Sequence, residues 1–319
     1  MNPSPAVAVI GPSPAIDRRI AITGFAAGTL NRVSREENHA GGKAVNVAAC
    51  LADLGVPVAL TGLLGSDNAE VFERLFASKR IRDRCVRFPG RTRSNIKIVS
   101  GDLPQVQVTE INFPACFPGQ GYLAGVERAV DALLADCSCF VLAGSLPAGI
   151  AATYYAELIA RLQAAGKRVA LDSSGAALRH GVAARPWLIK PNLAELEELV
   201  EQRLPDTAAA AAAARRLVAD GIERVVVSLG DRGALFVTAG CCLLAIPPPT
   251  IVNSTVGAGD ALLAGQIAGW MRGCSLADSA RLAIACATAR LGMIGSGLPP
   301  RPQLEMLMAA VELRELDRG

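Results

Sequence analysis

Histidine and paired cysteines are scarce in this sequence, which argues against several kinds of active site. His39 and His180 are the two histidines, and neither stands in a context typical of a Ser-His-Asp triad. Nine cysteines are scattered without a CxxC pair, whereas tetrahedral zinc sites usually take ligands paired at short spacings. A zinc site is therefore not expected, and reduced cysteines that fill small core volumes favour the cytosol.

The common phosphate-binding loops are missing as well. No GxxxxGK[ST] occurs, so a Walker-type loop is excluded. The nearest match to GxGxxG is GAGDAL, Gly257 to Leu262, which lacks the third glycine and carries an acid that a dinucleotide would not need. Hydride transfer and triad hydrolysis are thus both disfavoured.

Strong charge and long apolar runs are also lacking. Lys and Arg number 32 against 29 Asp and Glu, and the net charge of +3 predicts no nucleic-acid partner. The first residues, MNPSPAVAVIGPSP, have no basic segment, and their apolar run is too short for an export signal or a membrane span. We expect a cytoplasmic protein with no membrane partner.

Short Val- and Ile-rich runs alternate with longer Ala- and Leu-rich segments along the chain. Hydrophobic residues make up 51% and aromatic residues 4%, so the core must rest on Ala, Val, Leu and Ile. The predicted strands are AVAVI, VALTGLLG, CFVLAGS, RVALDSS, WLIKPN and RVVVSLG, which start at 6, 58, 139, 168, 187 and 224. The predicted helices between them are AVNVAACLADLG, AEVFERLFASKR, GVERAVDALLAD, TYYAELIARLQAAGK and TAAAAAAARRLVADG. This alternation predicts an α/β fold with a mostly parallel sheet covered on both faces, and a ligand site at the carboxyl ends of the strands.

Two stretches, 20–39 and 85–113, have no helical period. Alternating segments such as SNIKIVS and QVQVTEIN predict antiparallel strands of one small sheet that acts as a lid. No linker, repeat or block of charge divides the chain. We therefore expect a single domain over 1–319, with a lid formed by about 15–38 and 86–115.

The stretch GAGDALLAG, Gly257 to Gly265, begins what is predicted to be a helix. One interpretation is a helix cap, since Asp is a good N-cap residue. The other is a catalytic site, because free N–H groups at a helix N-terminus can stabilise a transferring phosphoryl group. Asp260 would repel phosphate unless it accepted the proton of an incoming hydroxyl, so the catalytic interpretation is favoured.

Two further segments combine glycine or asparagine with charge at the start of a helix. In HAGGKAVNVAACLADLG, Gly41 and Gly42 let the backbone approach sugar hydroxyls, with Lys43 and Asn46 following; a plain surface loop is the alternative. In KPNLAELEEL, Asn192 and Glu195 share a helix face. Their oxygens suit a hydrated Mg²⁺, but an ordinary capping box has the same spacing.

Together these segments resemble the ribokinase-like, or PfkB-type, carbohydrate kinases nearly from end to end. AGGKAVNVA is similar to the first signature of that family, STVGAGDALLAG to its second, and KPNLAEL to its NxxE magnesium motif. The segments NRVS, TRSNIKI, TEIN, GSLPAG, DSSGAAL, WLIKPN and VVVSLGDRGAL resemble the phosphofructokinase and tagatose-6-phosphate kinase branch. The resemblance implies a three-layer α/β/α sandwich with a small β lid, which in relatives often forms a dimer contact.

The resemblance also implies a role for each matching residue. Asp260 would be the catalytic base, with Gly257, Ala258 and Gly259 as the anion hole. The sugar hydroxyls would be held by Asp17, Gly41, Gly42 and Asn46, and the phosphate already on the substrate by Lys43, Arg93, Lys97 and Ser145. The ATP site would comprise Lys190, Asn192, Ser228, Gly230 and Gly233, and Mg²⁺ would be organised by Asn192 and Glu195.

The function implied is an ATP- and Mg²⁺-dependent kinase for a ketohexose phosphate. Fructose 1-phosphate, converted to fructose 1,6-bisphosphate, is the favoured substrate, and fructose 6-phosphate and tagatose 6-phosphate are the alternatives. An unphosphorylated sugar or nucleoside would leave Lys43, Arg93 and Lys97 without a purpose. A catalytically silent sugar-phosphate sensor is the rival from another class, and the intact base and glycines argue against it.

Overall fold

The computed structural model describes residues 6–100, 107–252, 254–293 and 295–316. Residues 1–5, the 101–106 portion of the predicted lid, and Asn253 next to the second signature lie outside the described residues. Ten strands form the main sheet: β1 Val7–Ile10, β4 Val58–Thr61, β6 Arg82–Asp83, β10 Cys139–Ala143, β11 Arg168–Asp172, β12 Leu188–Ile189, β13 Arg224–Ser228, β14 Ala234–Val237, β15 Cys242–Ile246 and β16 Glu312–Glu315.

The order of the main sheet is β16-β15-β14-β13-β12-β11-β10-β1-β4-β6. Neighbours from β6 to β13 pair in parallel, and the three pairings from β13 to β16 are antiparallel. The central strands are buried on both faces, which explains their continuous apolar sequences. The mostly parallel sheet predicted from the sequence is confirmed, with an antiparallel edge added to it.

Ten helices are described: α1 Lys43–Asp53, α2 Glu70–Lys79, α3 Gln120–Leu133, α4 Tyr154–Ala164, α5 Gly175–Ala183, α6 Leu193–Val200, α7 Thr207–Ala219, α8 Ala258–Met271, α9 Leu276–Leu291 and α10 Arg301–Ala309. Short 3₁₀ turns span Ser66–Asn68 and Gly230–Arg232. Two apolar clusters cover the two faces of the sheet. One takes side chains from α1, α2, α8, α9 and α10, and the other from α3 to α7. The three-layer arrangement is therefore confirmed.

A separate four-stranded sheet has the order β3-β2-β8-β9 and comprises β2 Ala15–Ala21, β3 Arg35–Gly41, β8 Ser94–Ser100 and β9 Gln107–Ile111. The prediction of one small sheet is confirmed, but the expectation of purely antiparallel pairing is wrong. β2 and β8 run parallel, and the chain between them is long enough for a crossover, since it forms β3, α1, α2 and the main-sheet strands β4 and β6. A two-stranded parallel sheet joins β5 Leu63–Gly65 to β7 Val86–Phe88.

Two predicted strands differ from the structure. VALTGLLG is divided at Gly62, where a Cβ atom would lie 2.1 Å from the carbonyl oxygen of Gly11 and the chain turns away from the sheet. WLIKPN contributes only Leu188–Ile189 to the sheet, since Pro191 cannot donate a ladder hydrogen bond.

Five of the cysteines are buried, as expected for residues that fill the core: Cys50, Cys137, Cys139, Cys242 and Cys286. Cys116 is exposed, contrary to that expectation. Among the described residues, no helix has the length and apolar character needed to cross a membrane.

Candidate active site

Asp260 lies inside helix α8 and is almost fully buried. The N-cap of α8 is Gly257 and Asp260 is the third helical residue, so the capping interpretation of this aspartate is wrong. Its side chain accepts a hydrogen bond of 2.8 Å from Nδ2 of Asn46, and the residue is 6% exposed. Burial and then the negative charge of Asp172 raise the pKa of Asp260 to about 6. A carboxylate with a pKa in this range can accept a proton near neutral pH.

The loop before Asp260 is built from residues that bring the backbone close to other groups. Gly257 has φ of +80°, a left-handed conformation that favours glycine. A Cβ atom at Gly259 would lie 3.2 Å from Nζ of Lys190, so the backbone of the helix N-terminus faces that ammonium group. The first turn of a helix has N–H groups without intrahelical partners, which makes this end of α8 suited to an anion.

Asp172 is the last residue of strand β11 and lies between two lysines. Its Oδ1 is 2.7 Å from Nζ of Lys43, and its Oδ2 is 3.2 Å from Nζ of Lys190. The carboxylate is fully buried, and burial alone would raise its pKa, but the charges of Lys190 and Lys43 outweigh burial and hold the pKa of Asp172 below its usual value. The pKa of Lys43 is raised, because the ion pair with Asp172 outweighs the effect of burial.

The small sheet contributes a second ion pair to the same region. Nζ of Lys97 on β8 lies 3.1 Å from Oδ2 of Asp17 on β2, so both predicted substrate-binding side chains are paired with each other. A Cβ atom at Gly41 would lie 2.6 Å from the same oxygen of Asp17, which only a glycine avoids. Arg93 donates a hydrogen bond of 2.7 Å to the carbonyl oxygen of Phe113. Burial lowers the pKa of Arg93, opposed by the charge of Asp17.

A cavity of about 510 Å³ at the carboxyl ends of the strands unites most of the predicted site; we call it the polar cavity. Its predicted lining residues are Asp17, Gly42, Lys43, Asn46, Arg93, Lys97, Ser145, Lys190, Asn192, Glu195, Ser228, Gly257, Gly259 and Asp260. Gly41 ends β3 beside Asp17. The polar cavity thus spans the small sheet, the end of the large sheet and the start of α8.

A second cavity of about 870 Å³ adjoins the first and has mainly apolar walls; we call it the apolar cavity. Gly230, Gly233 and Ala258 line it, and it shares Asn192, Ser228 and Gly259 with the polar cavity. The two cavities together offer a large apolar compartment joined to a charged one through a helix N-terminus. This arrangement can bind a nucleotide with its base on one side and its phosphates next to an acceptor.

Asn192 and Glu195 form a capping box at the start of α6. The amide of Glu195 donates to Oδ1 of Asn192 and the amide of Asn192 donates to Oε2 of Glu195, both at 2.8 Å. The capping alternative is therefore confirmed. Both side chains also line the polar cavity, where their oxygens are the donor type that a hydrated Mg²⁺ takes. Among the described residues, no group of three or more His, Cys, Asp or Glu side chains could hold a metal ion by itself.

Two charged residues of this region, Asp172 and Arg290, are not among those predicted from the sequence. Asp172 could have been found, because it ends a predicted strand on the edge where polar side chains gather. Arg290, in the last turn of α9, is 5% exposed and donates a hydrogen bond of 3.1 Å to the carbonyl oxygen of Val256. No sequence pattern distinguishes it from a surface arginine.

Comparison with known proteins identifies the class. The sequence model of the pfkB family carbohydrate kinases matches residues 5–303, and the chain belongs to this family. It is 46% identical over 311 residues to a 1-phosphofructokinase from Rhodobacter capsulatus, with 97% of this chain and 98% of the relative covered. A 1-phosphofructokinase from Xanthomonas campestris is 45% identical, with 88% and 89% covered.

A solved structure agrees with these relatives. Phosphofructokinase-2 from Escherichia coli, in complex with substrates and products, superimposes with a TM-score of 0.89 and 27% identity, and 95% of this chain and 98% of that chain are covered. The predicted ribokinase-like fold is thereby confirmed. The chain is an ATP-dependent sugar-phosphate kinase.

Proposed function

We propose that this protein transfers the γ-phosphoryl group of ATP to the free primary hydroxyl of fructose 1-phosphate, giving fructose 1,6-bisphosphate and ADP. The supporting observation is the composition of the polar cavity, which joins a buried carboxylate, Asp260, to the cations Lys43, Arg93 and Lys97. Lys43 and Lys97 are already paired with Asp172 and Asp17. Arg93 donates hydrogen bonds only to backbone carbonyl oxygens among the described residues, so a phosphate on the sugar would supply its anionic partner. The relatives named 1-phosphofructokinase favour fructose 1-phosphate over fructose 6-phosphate and tagatose 6-phosphate.

In this proposal Asp260 is the general base. Asn46 donates to its Oδ2, which leaves Oδ1 to accept the proton of the sugar hydroxyl. The deprotonated oxygen attacks the γ-phosphorus in line, the bond from phosphorus to the β-phosphate oxygen breaks, and ADP leaves. Such transfer needs positioning and charge stabilisation and little covalent chemistry from the protein.

The backbone of Gly257, Ala258 and Gly259 stabilises the negative charge on the phosphoryl group during transfer. Lys190 stands beside Gly259 and contributes a cation on the ATP side of Asp172. On the other side, Lys43 contributes a cation toward the sugar phosphate. Ser228, Gly230 and Gly233 line the nucleotide-binding walls.

The acceptor end of the site is formed by the small sheet and the loops beside it. Asp17, Gly41, Gly42 and Asn46 hold sugar hydroxyls. Arg93, Lys97 and Ser145 bind the existing phosphate, and Arg suits this task because its guanidinium can make two parallel bonds to phosphate oxygens.

Mg²⁺ is the expected metal. Asn192 and Glu195 would hold it, most simply through its water shell, because each already uses one oxygen in the capping box. When bound, Mg²⁺ neutralises negative charge on the ATP phosphates.

A coupled ATP-turnover assay with Mg²⁺ tests the substrate. It compares kcat/KM for fructose 1-phosphate, fructose 6-phosphate, tagatose 6-phosphate, fructose and ribose. We expect a clear preference for fructose 1-phosphate. Preference for another phosphorylated ketose changes the substrate and keeps the reaction, preference for a free sugar removes the assigned role of the cations, and no turnover of any acceptor supports the sensor alternative.

We also propose a homodimer that is formed through the small sheet. Its edge strand β9 is exposed along its length, and the apolar side chains Val108, Ile111 and Phe113 are 47%, 44% and 45% exposed. Sedimentation equilibrium should give a dimer mass that Ile111→Glu reduces to the monomer mass. A monomer at all concentrations would refute this assembly.

A further inference from the structure

Arg290 is a buried cation placed directly behind the anion-binding loop. Its Nε and Nη2 each lie 3.3 Å from the position that a Cβ atom of Gly257 would take, so the guanidinium packs against this residue. Nη1 is buried without a hydrogen-bond partner among the described residues. No ion pair within 4.0 Å joins Arg290 to a carboxylate of the described chain. The position in the last turn of α9 offers it only the negative end of a helix dipole.

The hydrogen bond from Nη2 fixes one particular peptide unit. The carbonyl of Val256 and the N–H of Gly257 belong to the same peptide, and in a trans peptide these two groups point in opposite directions. Holding the carbonyl toward Arg290 therefore turns the N–H of Gly257 away from it. Val256 lines both the polar cavity and a smaller cavity of about 60 Å³, which Asp17, Asn46 and Lys97 also line. Arg290 lines the smaller cavity and not the polar cavity, so its guanidinium stands beside the proposed reaction site.

The guanidinium also changes the electrostatics of the loop. A charge-assisted hydrogen bond is stronger than a neutral one, and a bond to the carbonyl polarises the amide so that its N–H becomes a better donor. A buried cation without a carboxylate is costly in a protein interior. An anion held at the N-terminus of α8 would offset this cost. The offset would be largest when the negative charge on that anion is greatest.

We propose that Arg290 is a positioning residue of the phosphoryl-transfer site. Its guanidinium fixes the orientation of the Val256–Gly257 peptide and supplies a permanent positive charge behind it, without touching either substrate. This inference rests on the proposed role of Gly257, Ala258 and Gly259 as the anion hole. The positive charge behind the anion hole at the start of α8 would then come from Arg290 on the neighbouring helix α9.

The pair of variants Arg290→Gln and Arg290→Lys separates the hydrogen bond from the charge. Glutamine keeps an N–H donor, and lysine keeps the charge. Removing a direct donor from such a hole costs about 10²–10³ in kcat, and for an indirect effect we expect Arg290→Gln to lower kcat about 10- to 100-fold. KM for both substrates should change by less than about threefold, since the effect arises mainly in the transition state. Arg290→Lys should retain clearly more kcat than Arg290→Gln.

Arg281→Gln is the matched control. Arg281 lies on the same helix and also donates to a backbone carbonyl, that of Val311, far along the chain from the proposed anion hole. Its substitution removes a comparable hydrogen bond from a side chain to a carbonyl, and kcat should stay within about twofold of that of the unsubstituted protein.

A second measurement does not depend on turnover. ADP with aluminium fluoride mimics the phosphoryl group in transfer, so the ratio of its affinity to that of ADP alone reports the charge of the hole. We expect this ratio to fall about tenfold or more in Arg290→Gln and less in Arg290→Lys. Should Arg290→Gln not fold, the ratio in Arg290→Lys decides, and an unchanged ratio there overturns the inference.

The inference is also overturned if folded Arg290→Gln keeps the kcat of the unsubstituted protein, or if Arg281→Gln loses kcat equally. All assays use the sugar phosphate that the unsubstituted protein prefers. If the proposed substrate is wrong, the unsubstituted protein shows it by preferring another acceptor. If the proposed role of Arg290 is wrong, only the comparison between the variants and the unsubstituted protein shows it.

Discussion

The side-chain amide of Asn46 donates a hydrogen bond of 2.8 Å to Oδ2 of Asp260, across 214 positions of sequence. This bond stabilises the charged carboxylate and therefore lowers the pKa of Asp260, against burial and the charge of Asp172, which raise it. The pKa of about 6 is a balance between these groups, and each can be removed separately.

Asn46→Leu should move the acid limb of the pH profile of kcat/KM to higher pH. The substitution removes the hydrogen bond that favours the carboxylate, so the pKa of Asp260 rises above its present value of about 6. The profile of kcat/KM for the sugar phosphate reports the ionisations of the free enzyme, and it is measured between pH 5 and about 9, a range that contains this pKa. An acid limb that stays in place would mean that Asp260 does not control it.

Asp172→Asn should move the same limb to lower pH. The negative charge of Asp172 is the second cause that raises the pKa of Asp260, and its removal favours the ionised base. The same pH profile, measured beside that of Asn46→Leu, checks the sign. Shifts in one direction for both variants would contradict the assignment of the limb to Asp260.

Asp260→Asn should lower kcat about 10²- to 10⁴-fold, because asparagine cannot take the proton of the sugar hydroxyl. KM should change much less. Asp220→Asn, at an exposed aspartate after α7, is the control for a lost carboxylate and should keep full activity. Survival of kcat in Asp260→Asn would exclude Asp260 as the base.

The same Asp260→Asn variant should be more stable than the unsubstituted protein at pH 7.5. The folded pKa of about 6 exceeds the usual value of 3.8, so the stability contributed by this group is present below the usual pKa and is lost as pH rises through about 6. We expect a gain on the order of 1–3 kcal/mol at pH 7.5. Urea unfolding should show this gain disappear near pH 4, and a less stable variant at pH 7.5 would contradict the argument.

Arg93→Ala should raise KM for the sugar phosphate about tenfold or more and leave KM for ATP unchanged, because the guanidinium lines the acceptor end of the polar cavity. Arg91→Ala is the matched control, since Arg91 is exposed and does not line that cavity. Steady-state kinetics with each substrate varied in turn checks both variants. An equal rise in the two KM values would remove Arg93 from the sugar site.

Much of the fold was predictable because it depends on local sequence. The buried strands, the helices that end on glycine and the segment around Asp260 each carry their signal within about a dozen residues. The parallel pairing of β2 with β8 was not predictable in this way, because it depends on where the intervening chain crosses the sheet. The antiparallel strands β14 to β16 were not predicted. For β16 the reason is its charged sequence, ELRE, at the end of the described chain.

In the candidate site, too, the residues of contiguous motifs were predictable and their distant partners were not. Gly42, Lys43, Asn46, Gly257 and Asp260 stand in contiguous motifs, and the structure brings them to one cavity as expected. Their electrostatic partners are distant in sequence: Asp172 lies 129 positions from Lys43. Asp172 itself ends a predicted strand and could have been noticed there, but its pairing with Lys43 and its effect on the pKa of Asp260 leave no spacing signal and could be found only from the folded chain.

The placement of Asp17 and Lys97 on the small sheet has a consequence for wasteful reaction with water. Both side chains stand on strands of the small sheet, β2 and β8, whereas Asp260 is buried in helix α8. A displacement of the small sheet would therefore take the acceptor wall apart and leave the base and the helix end in place. We expect ATP cleavage without sugar to stay slow, because a water molecule in the open site has nothing to orient it.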